Sequence, residues 1–293
     1  MNIGIFINGE RGVNVSRSVN KERKIKIIFC LKSLQKNYLS EIIKLNIPVY
    51  FLKKDFQEDL LRVIKSNKLE LLIVAGFPII FKKKIIYSTK YGVLNLHAGP
   101  LPHYRGGSPL NWQILNGEKK IGISFLRMNE NIDEGNIYAN YFFKLSDNQN
   151  IFHAHKKANE LFAKNVNKII DRIFKGYIGI EQSTSKSVYW HQRADEDGKI
   201  DWSKSSSEIL NFVRALSRPY NGAYTFFEKD KLRIFNVEKF SDQLKGTAGK
   251  ILFLTRIKKP VVICGYGSLI INDYSFEKKK KKIKKGIFDN RYF

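Results

Sequence analysis

Along the first half of the chain, short runs rich in apolar and β-branched residues alternate with segments whose apolar positions recur three and four apart. Ile3 to Ile7, Ile25 to Leu31, Pro48 to Leu52 and Leu69 to Ala75 are runs of the first kind and predict buried strands. Leu34 to Leu45 and Phe56 to Ser66 are amphipathic, with Phe56, Leu60, Leu61 and Ile64 on one helical face. Strands alternating with helices predict a mostly parallel sheet covered on both faces. Val93 to Leu96 supplies a fifth strand, Leu110 to Asn116 begins a helix, and Ile121 to Met128 and Ile137 to Phe143 read as further strands. Ala154 to Phe174 then sets Ala158, Leu161, Phe162, Val166, Ile169, Ile170 and Ile173 at helical spacing, closed by Gly176.

After that helix the pattern changes. Gly179 to Ser187 is poor in large apolar residues and rich in Ser and Thr, which predicts a linker. One helix, Ser206 to Leu216, precedes β-like runs at Ala223 to Phe227, Leu232 to Val237, Gly249 to Leu254, Pro260 to Cys264 and Ser268 to Ile271. Strands this short pack naturally as a small barrel-like β module. The expected organisation is a first domain over residues 1–180, an interdomain segment over 181–205, and a helix plus β module over 206–293.

Composition bounds this picture. With 43% hydrophobic and 13% aromatic residues in 293, enough apolar surface is available to offset ordering entropy, which excludes a disordered or fibrous chain. No uninterrupted apolar run approaches the roughly 20 residues of a membrane span. Met1 to Asn8 carries no signal-peptide pattern, so a cytoplasmic protein without a membrane partner is expected. Cys30 in KIIFCL and Cys264 in VVICGYG lack partners at metal-ligand spacing and read as packed core thiols. His153 and His155 open a helix without further ligands nearby, so no metal is expected. The formal charge of +25 would attract nucleic acid, an anionic membrane or a phosphorylated ligand alike. The lysines are scattered, apart from a block at Lys278 to Lys282, Lys284 and Lys285, and Lys, Ile and Asn usage of this kind also follows from an AT-rich genome. The charge is therefore read as solvated surface, with nucleic acid not expected as a partner.

Candidate chemistry begins in VLNLHAGPLPHYRGGSP, where a buried strand delivers Asn95 and His97 and breaks at Gly99, Pro100 and Pro102. Ligands of open parallel sheets bind at the carboxyl ends of strands, and alternation puts these two side chains on one face. An imidazole there can move a proton, and an amide can donate to an oxyanion. The bland alternative is a satisfied buried polar pair. In RMNENIDEGNIYA, Asp133 sits in a turn between two apparent strands, where a carboxylate can orient a histidine or be a plain turn residue. Gly4, Gly9 and Gly12 do not form G-x-G-x-x-G, and no P-loop is present.

Together these segments resemble the folate-dependent formyltransferases, whose site is an Asn, a His two residues on and an Asp downstream; here Asp133 follows His97 by 36 positions, the family's interval. LLIVAGFPIIF and the text from Asn95 to Ala139 are similar to the family signature, and RADEDGKIDW, VRALSRPYNGAY and GTAGKILF resemble the second domain of its sugar-nucleotide and methionyl-tRNA members. The resemblance implies an α/β fold: a mostly parallel Rossmann-like sheet flanked by helices, then a smaller β-rich, OB-like C-terminal domain. It implies transfer of a formyl group from N10-formyltetrahydrofolate to an amine by direct attack. His97 would take the amine proton, Asn95 would hydrogen-bond the oxyanion and Asp133 would pair with His97. The pterin would fall to Gly76, Phe77, Pro78 and Ile79 and to backbone near Ile132 and Glu134.

The acceptor depends on flanking text. RGGSPLNWQILNG, with Asn111 and Trp112, and RPYNGAYT look like the sugar-nucleotide group. The enzyme acting on UDP-amino-arabinose usually has an arginine where this chain has Gly107, so a dTDP-linked amino-dideoxysugar is the expected substrate, within O-antigen or another surface-glycan pathway. Arg105, Arg193, Arg214 and Arg218 are candidates for the diphosphate, since planar guanidinium matches phosphate oxygens. Gly107 and Ser108, Trp190, Asp197 and Tyr220 complete the expected substrate contacts, with Trp190 and Tyr220 as stacking surfaces. Arg214 alternatively serves as an ion-pair partner, Arg193 and Asp197 alternatively close a domain interface, and Trp202 reads as core. A homodimer is implied by the related sugar enzymes. Methionyl-tRNA formyltransferase is the alternative, and a non-catalytic nucleotide- or RNA-binding protein on an inherited fold is the second.

Overall fold

The computed structural model describes residues 1–53, 56–254, 257–277 and 282–288. In chain order its elements are β1 (Ile3–Ile7), α1 (Glu10–Glu22), β2 (Ile25–Leu31), α2 (Lys36–Ile43), β3 (Val49–Leu52), α3 (Phe56–Ser66), β4 (Leu71–Ala75), α4 (Lys83–Ile86), β5 (Val93–His97), β6 (Arg105–Gly106), α5 (Pro109–Leu115), β7 (Lys120–Arg127), β8 (Ile137–Lys144), α6 (Ile151–Phe174), β9 (Tyr189–Trp190), α7 (Ser206–Leu216), β10 (Ala223–Phe227), β11 (Asp230–Lys239), β12 (Lys250–Leu252), β13 (Val261–Ile263), β14 (Ser268–Phe276) and β15 (Gly286–Ile287). Lys278 to Lys281 of the basic block lie outside the described residues.

One compact unit comprises Met1–Gly106, Gly122–Phe143 and Lys156–Trp190. Its sheet has the order β3-β2-β1-β4-β5-β7-β8, parallel from β3 to β5 and antiparallel between β5 and β7. All five residues of β1 and all five of β4 are buried, as continuous apolar runs require when both faces of a parallel sheet are covered. On one face the core is aromatic: Phe6 stacks on Phe29 with ring centres 4.5 Å apart, and Phe77 and Phe81 pack against Phe6. The sequence pattern missed α1. Its buried positions are Gly12, Val13, Val15, Ser16 and Val19, small or β-branched residues with no large apolar stripe. Gly12 is held by contact, because a Cβ there would stand 2.3 Å from the Cβ of Ile7.

The second unit gathers Gly107–Ile121, Lys144–His155 and His191–Phe293. It begins before the expected residue 206 and draws two earlier segments of the chain into itself, so the division is not a single cut in sequence. Helix α7 opens with a capping box between Ser205 and Glu208, and Asn111 of α5 donates to the carbonyl of Ala215 at 2.8 Å. Six strands form an open antiparallel half-barrel, ordered β10-β11-β14-β13-β12-β15. At its centre Trp202 is fully buried, stacked on Phe288 with its indole N–H donating to Thr225 at 3.0 Å. Strand β14 runs five residues past the expected Ile271 because it pairs with β11 as far as Leu232 and Phe276; polar residues on its other face obscured it in the sequence.

The residues expected to form a plain linker are partly structured. Ile180 bridges Ile137 in antiparallel fashion and Gln182 is buried. Both cysteines are buried, and burial pushes the Cys30 thiol up to about 11 and the Cys264 thiol to about 12. Native protein at pH 8 should therefore label with a disulfide reagent at least about 100-fold more slowly than in denaturant, a protection that needs only about 2.7 kcal/mol of opening free energy. A thiol that reacts at once in native buffer would show that its strand is not packed this way.

Candidate active site

The site is built where β5 ends. Val93 to His97 lies between β4 and β7, with Asn95 opposite Val74 and Leu126, and His97 opposite Ser124. Leu94 and Leu96 point into the core, so Asn95 and His97 share the other face, Asn95 half-buried and His97 buried. The loop after His97 is pinned from the neighbouring strands. The Ser124 hydroxyl donates to the carbonyl of Gly99 at 2.6 Å and accepts the N–H of Leu101 at 2.9 Å, and Asn140 donates to the carbonyl of Leu101 at 2.9 Å. From α1, Arg11 donates to the carbonyl of Leu96 at 3.1 Å, anchoring the strand one residue before the histidine.

His97 Nε2 lies 2.6 Å from the carbonyl oxygen of Tyr104. A carbonyl can only accept, so Nε2 carries the hydrogen and Nδ1 carries the lone pair in the neutral ring. Asp133 Oδ2 stands 3.5 Å from that Nδ1. A proton taken up at Nδ1 therefore arrives beside a carboxylate. The same Oδ2 accepts the N–H of Gly106 at 3.0 Å, and Asp133 holds a left-handed backbone conformation, φ 55°. Such a backbone is unusual for a residue other than glycine and is found where surroundings over-determine it, often at functional sites. The structure thus brings His97 and Asp133 together and leaves Asn95 on the same strand face, an amide beside a proton acceptor.

Gly76, Phe77, Pro78 and Ile79 follow β4, the strand next to β5, so their loop emerges at the same sheet edge. Phe77 is buried in the aromatic core and shapes the loop from beneath, while Pro78 and Ile80 are exposed. Ile132 is exposed beside Asp133. These apolar surfaces suit a flat ring system. The Glu134 side chain is committed elsewhere: it accepts from Arg105 at 3.2 Å, from Asn131 at 2.7 Å and from the Tyr189 hydroxyl.

The expected substrate residues divide between the units. Arg105 is 2% exposed, its guanidinium shared among Gln182, Glu134 and Tyr189, so as placed it is not available to a diphosphate. Trp190 stacks on Tyr104 at 5.7 Å and donates to the carbonyl of His103. In the other unit, Ser108, Arg193 and Tyr220 line one cavity of about 160 Å³ with Asn111 and Asn221. Arg193 lies over Trp112 at 4.8 Å and donates to the carbonyl of Asp197, whose carboxylate accepts the N–H of Ala194 at 2.7 Å. Gly107 is fixed sterically, since a Cβ would come 2.4 Å from the Cα of Gln192. Arg214, 6% exposed, donates to the carbonyl of Ser146 and lines a separate cavity of about 330 Å³. Arg218 pairs with Asp273 over the ring of Phe235.

Sequence reasoning missed Arg11, Tyr104 and Gln182. Arg11 sits on the undetected helix, Tyr104 acts through a carbonyl that no side chain signals, and Gln182 lies in Ser- and Thr-rich text. Comparison with known proteins bears on the same site. The formyl transferase family model matches residues 18–161, and the model of the formyl transferase C-terminal domain matches residues 193–288. A methionyl-tRNA formyltransferase of Citrifermentans bemidjiense is 33% identical over 219 residues, 74% of this chain and 68% of its own length. Among solved structures, the N-formyltransferase from Helicobacter canadensis, in complex with folinic acid and dTDP-3-aminofucose, is similar at 21% identity and TM-score 0.69 over 94% of this chain and 99% of that one. HypX from Aquifex aeolicus, in complex with tetrahydrofolic acid, is similar at 18% identity and TM-score 0.66, this chain spanning 44% of it. With both family models placed on the chain and a proton acceptor, a carboxylate and an amide gathered at the end of β5, the protein belongs to the formyl transferase family and transfers formyl from a folate-type cofactor.

Proposed function

We propose that the protein passes the formyl group of N10-formyltetrahydrofolate to the amine of a nucleotide-linked, dTDP-type amino-dideoxysugar. The pairing of His97 Nδ1 with Asp133 Oδ2 at 3.5 Å, beside the Asn95 amide, carries the chemical part of this reading. The amine lone pair forms a bond to the formyl carbon, and the carbonyl electrons move onto oxygen, where the Asn95 amide donates to them. The amine proton passes to His97 Nδ1. The oxyanion then collapses, the bond from carbon to folate N10 breaks, and N10 takes its proton from the imidazolium. No enzyme-bound formyl is needed. Pro78, Ile79 and Ile132 supply apolar contact for the pterin.

Support for a sugar nucleotide as acceptor comes from the RGGSPLNW and RPYNGAYT text, from the cavity that gathers Ser108, Arg193 and Tyr220, and from the end-to-end fold likeness to an enzyme complexed with dTDP-3-aminofucose. Methionyl-tRNA is the second reading, favoured by the 33% identical relative and by the charge of +25. Incubation with N10-formyltetrahydrofolate and a panel of dTDP- and UDP-amino sugars should give a product heavier by one formyl, resolved by mass spectrometry. Formylation of methionyl-tRNA with no product from any sugar nucleotide would replace the first reading by the second. In that case binding should weaken by about 1000-fold or more between 50 and 200 mM salt.

A further inference from the structure

Asp133 is a poor residue to leave unsupported. Its backbone is left-handed, and two positions later Gly135 turns so tightly against β7 that a Cβ would stand 1.6 Å from the carbonyl oxygen of Arg127. One side chain outside the loop grips both ends of this turn. Gln182 Nε2 donates to the carbonyl of Asp133 at 2.8 Å and to the carbonyl of Gly135 at 2.7 Å. Its other end is equally committed, because Oε1 accepts from Arg105 Nε at 3.1 Å and from Nη2 at 2.9 Å. Arg105 in turn donates through Nη1 to Glu134, the residue between the two gripped carbonyls, at 3.2 Å. The hydrogen bond from Tyr189, then that from Asn131, holds the Glu134 carboxyl below the usual range, so it remains the counterion of the buried guanidinium. The parallel pairing of β6 with β9 sets Arg105 beside Tyr189 and presents the N–H of Gly106 to Asp133 Oδ2.

We infer that Gln182 is a positioning residue that, anchored on Arg105, fixes the backbone of the Asp133 turn and so holds the carboxylate at Nδ1 of His97. The inference rests on the reading of His97 and Asp133 as the catalytic pair. The hydrogen bonds of Gln182 run to Arg105, Asp133 and Gly135. It defines the loop in which a displacement of about 1 Å would cost about 100-fold in rate.

Gln182→Glu separates the two ends of the side chain. It keeps acceptors for Arg105, removes both donors, and sets a carboxylate oxygen against two carbonyl oxygens. With whichever acceptor the panel assay identifies, kcat should fall about 10- to 100-fold. In a Asp133→Asn background the same change should cost less than about twofold, because it acts through Asp133. A substrate-free measurement runs beside these: hydrogen exchange of the Gly106 amide should accelerate about 10-fold or more in Gln182→Glu. Gln182→Met, uncharged and of similar length, is the second variant should Gln182→Glu fail to fold, with the same expectations. Wild-type kcat and wild-type Gly106 protection in the variant would overturn the inference, as would an undiminished loss in the Asp133→Asn background. Full activity of Asp133→Asn alone would overturn the catalytic reading instead, and protein inactive on every acceptor leaves Gly106 exchange to decide the grip.

Discussion

His97→Asn should lower kcat for formyl transfer by about 100- to 10000-fold, the range that a positioned proton acceptor contributes, while leaving folate affinity within about threefold. The geometry makes the change selective. In wild type the ring donates through Nε2 to the carbonyl of Tyr104 at 2.6 Å and offers Nδ1 toward Asp133. An asparagine amide can donate and accept hydrogen bonds, but it has no nitrogen lone pair able to hold a proton. Asp133 then faces a neutral group and cannot serve as the counterion of an imidazolium. The proposed folate surfaces around Pro78, Ile79 and Ile132 are untouched. Single-turnover rates with N10-formyltetrahydrofolate, set beside calorimetric binding of 5-formyltetrahydrofolate, measure the two quantities separately. A variant that keeps more than a tenth of the wild-type rate would remove His97 from the proton path and leave Asp133 without a partner to act on.

What the sequence revealed of this site, and what it hid, follows from where each interaction is encoded. Asn95, His97 and Asp133 stood out as candidates because polar side chains on a buried strand and in a tight turn are costly unless used, and because their interval and flanking text matched a known family. The strands β1, β2 and β4 were legible because burial on both faces leaves continuous apolar runs. Helix α1 was not, since three valines and a close-packed glycine make no stripe. Arg105 read as a phosphate ligand because a guanidinium after a Gly- and Pro-rich loop suits an anion. Its burial depends on the two-residue pairing of β6 with β9 across 84 positions, which leaves no periodicity behind. Gln182 was hidden for a related reason: both of its gripped partners are carbonyls, and backbone groups carry no residue identity. Gly107 stands where a relative has an arginine, and the close approach of Gln192, which leaves no room there for a Cβ, was not visible in the text. Candidate side chains could therefore be picked out from the text, whereas the contacts that hold them in place could not.

Asn95→Ala tests the remaining member of the trio, and kcat should fall about 100- to 1000-fold, as removal of one oxyanion donor does elsewhere. The carbonyl oxygen of a formyl group is nearly neutral in the ground state and carries a full charge after amine attack. A fixed amide N–H strengthens its hydrogen bond as that charge grows, so the loss belongs to kcat and leaves KM nearly unchanged. Asn95 is well placed for this because β5 is locked on both sides, paired to Val74 of β4 and Leu126 of β7, and so meets the charge without reorganising. Asn95→Asp sharpens the test. It preserves size and shape but substitutes an acceptor, whose charge at neutral pH repels the developing oxyanion and adds a second carboxylate near His97. It should therefore be slower than Asn95→Ala, although it is the more conservative change in volume. If Asn95→Asp were instead as fast as wild type, or if alanine raised KM and spared kcat, the amide would be binding ground-state substrate, and stabilisation of the oxyanion would have to come from backbone N–H groups of the loop that follows His97.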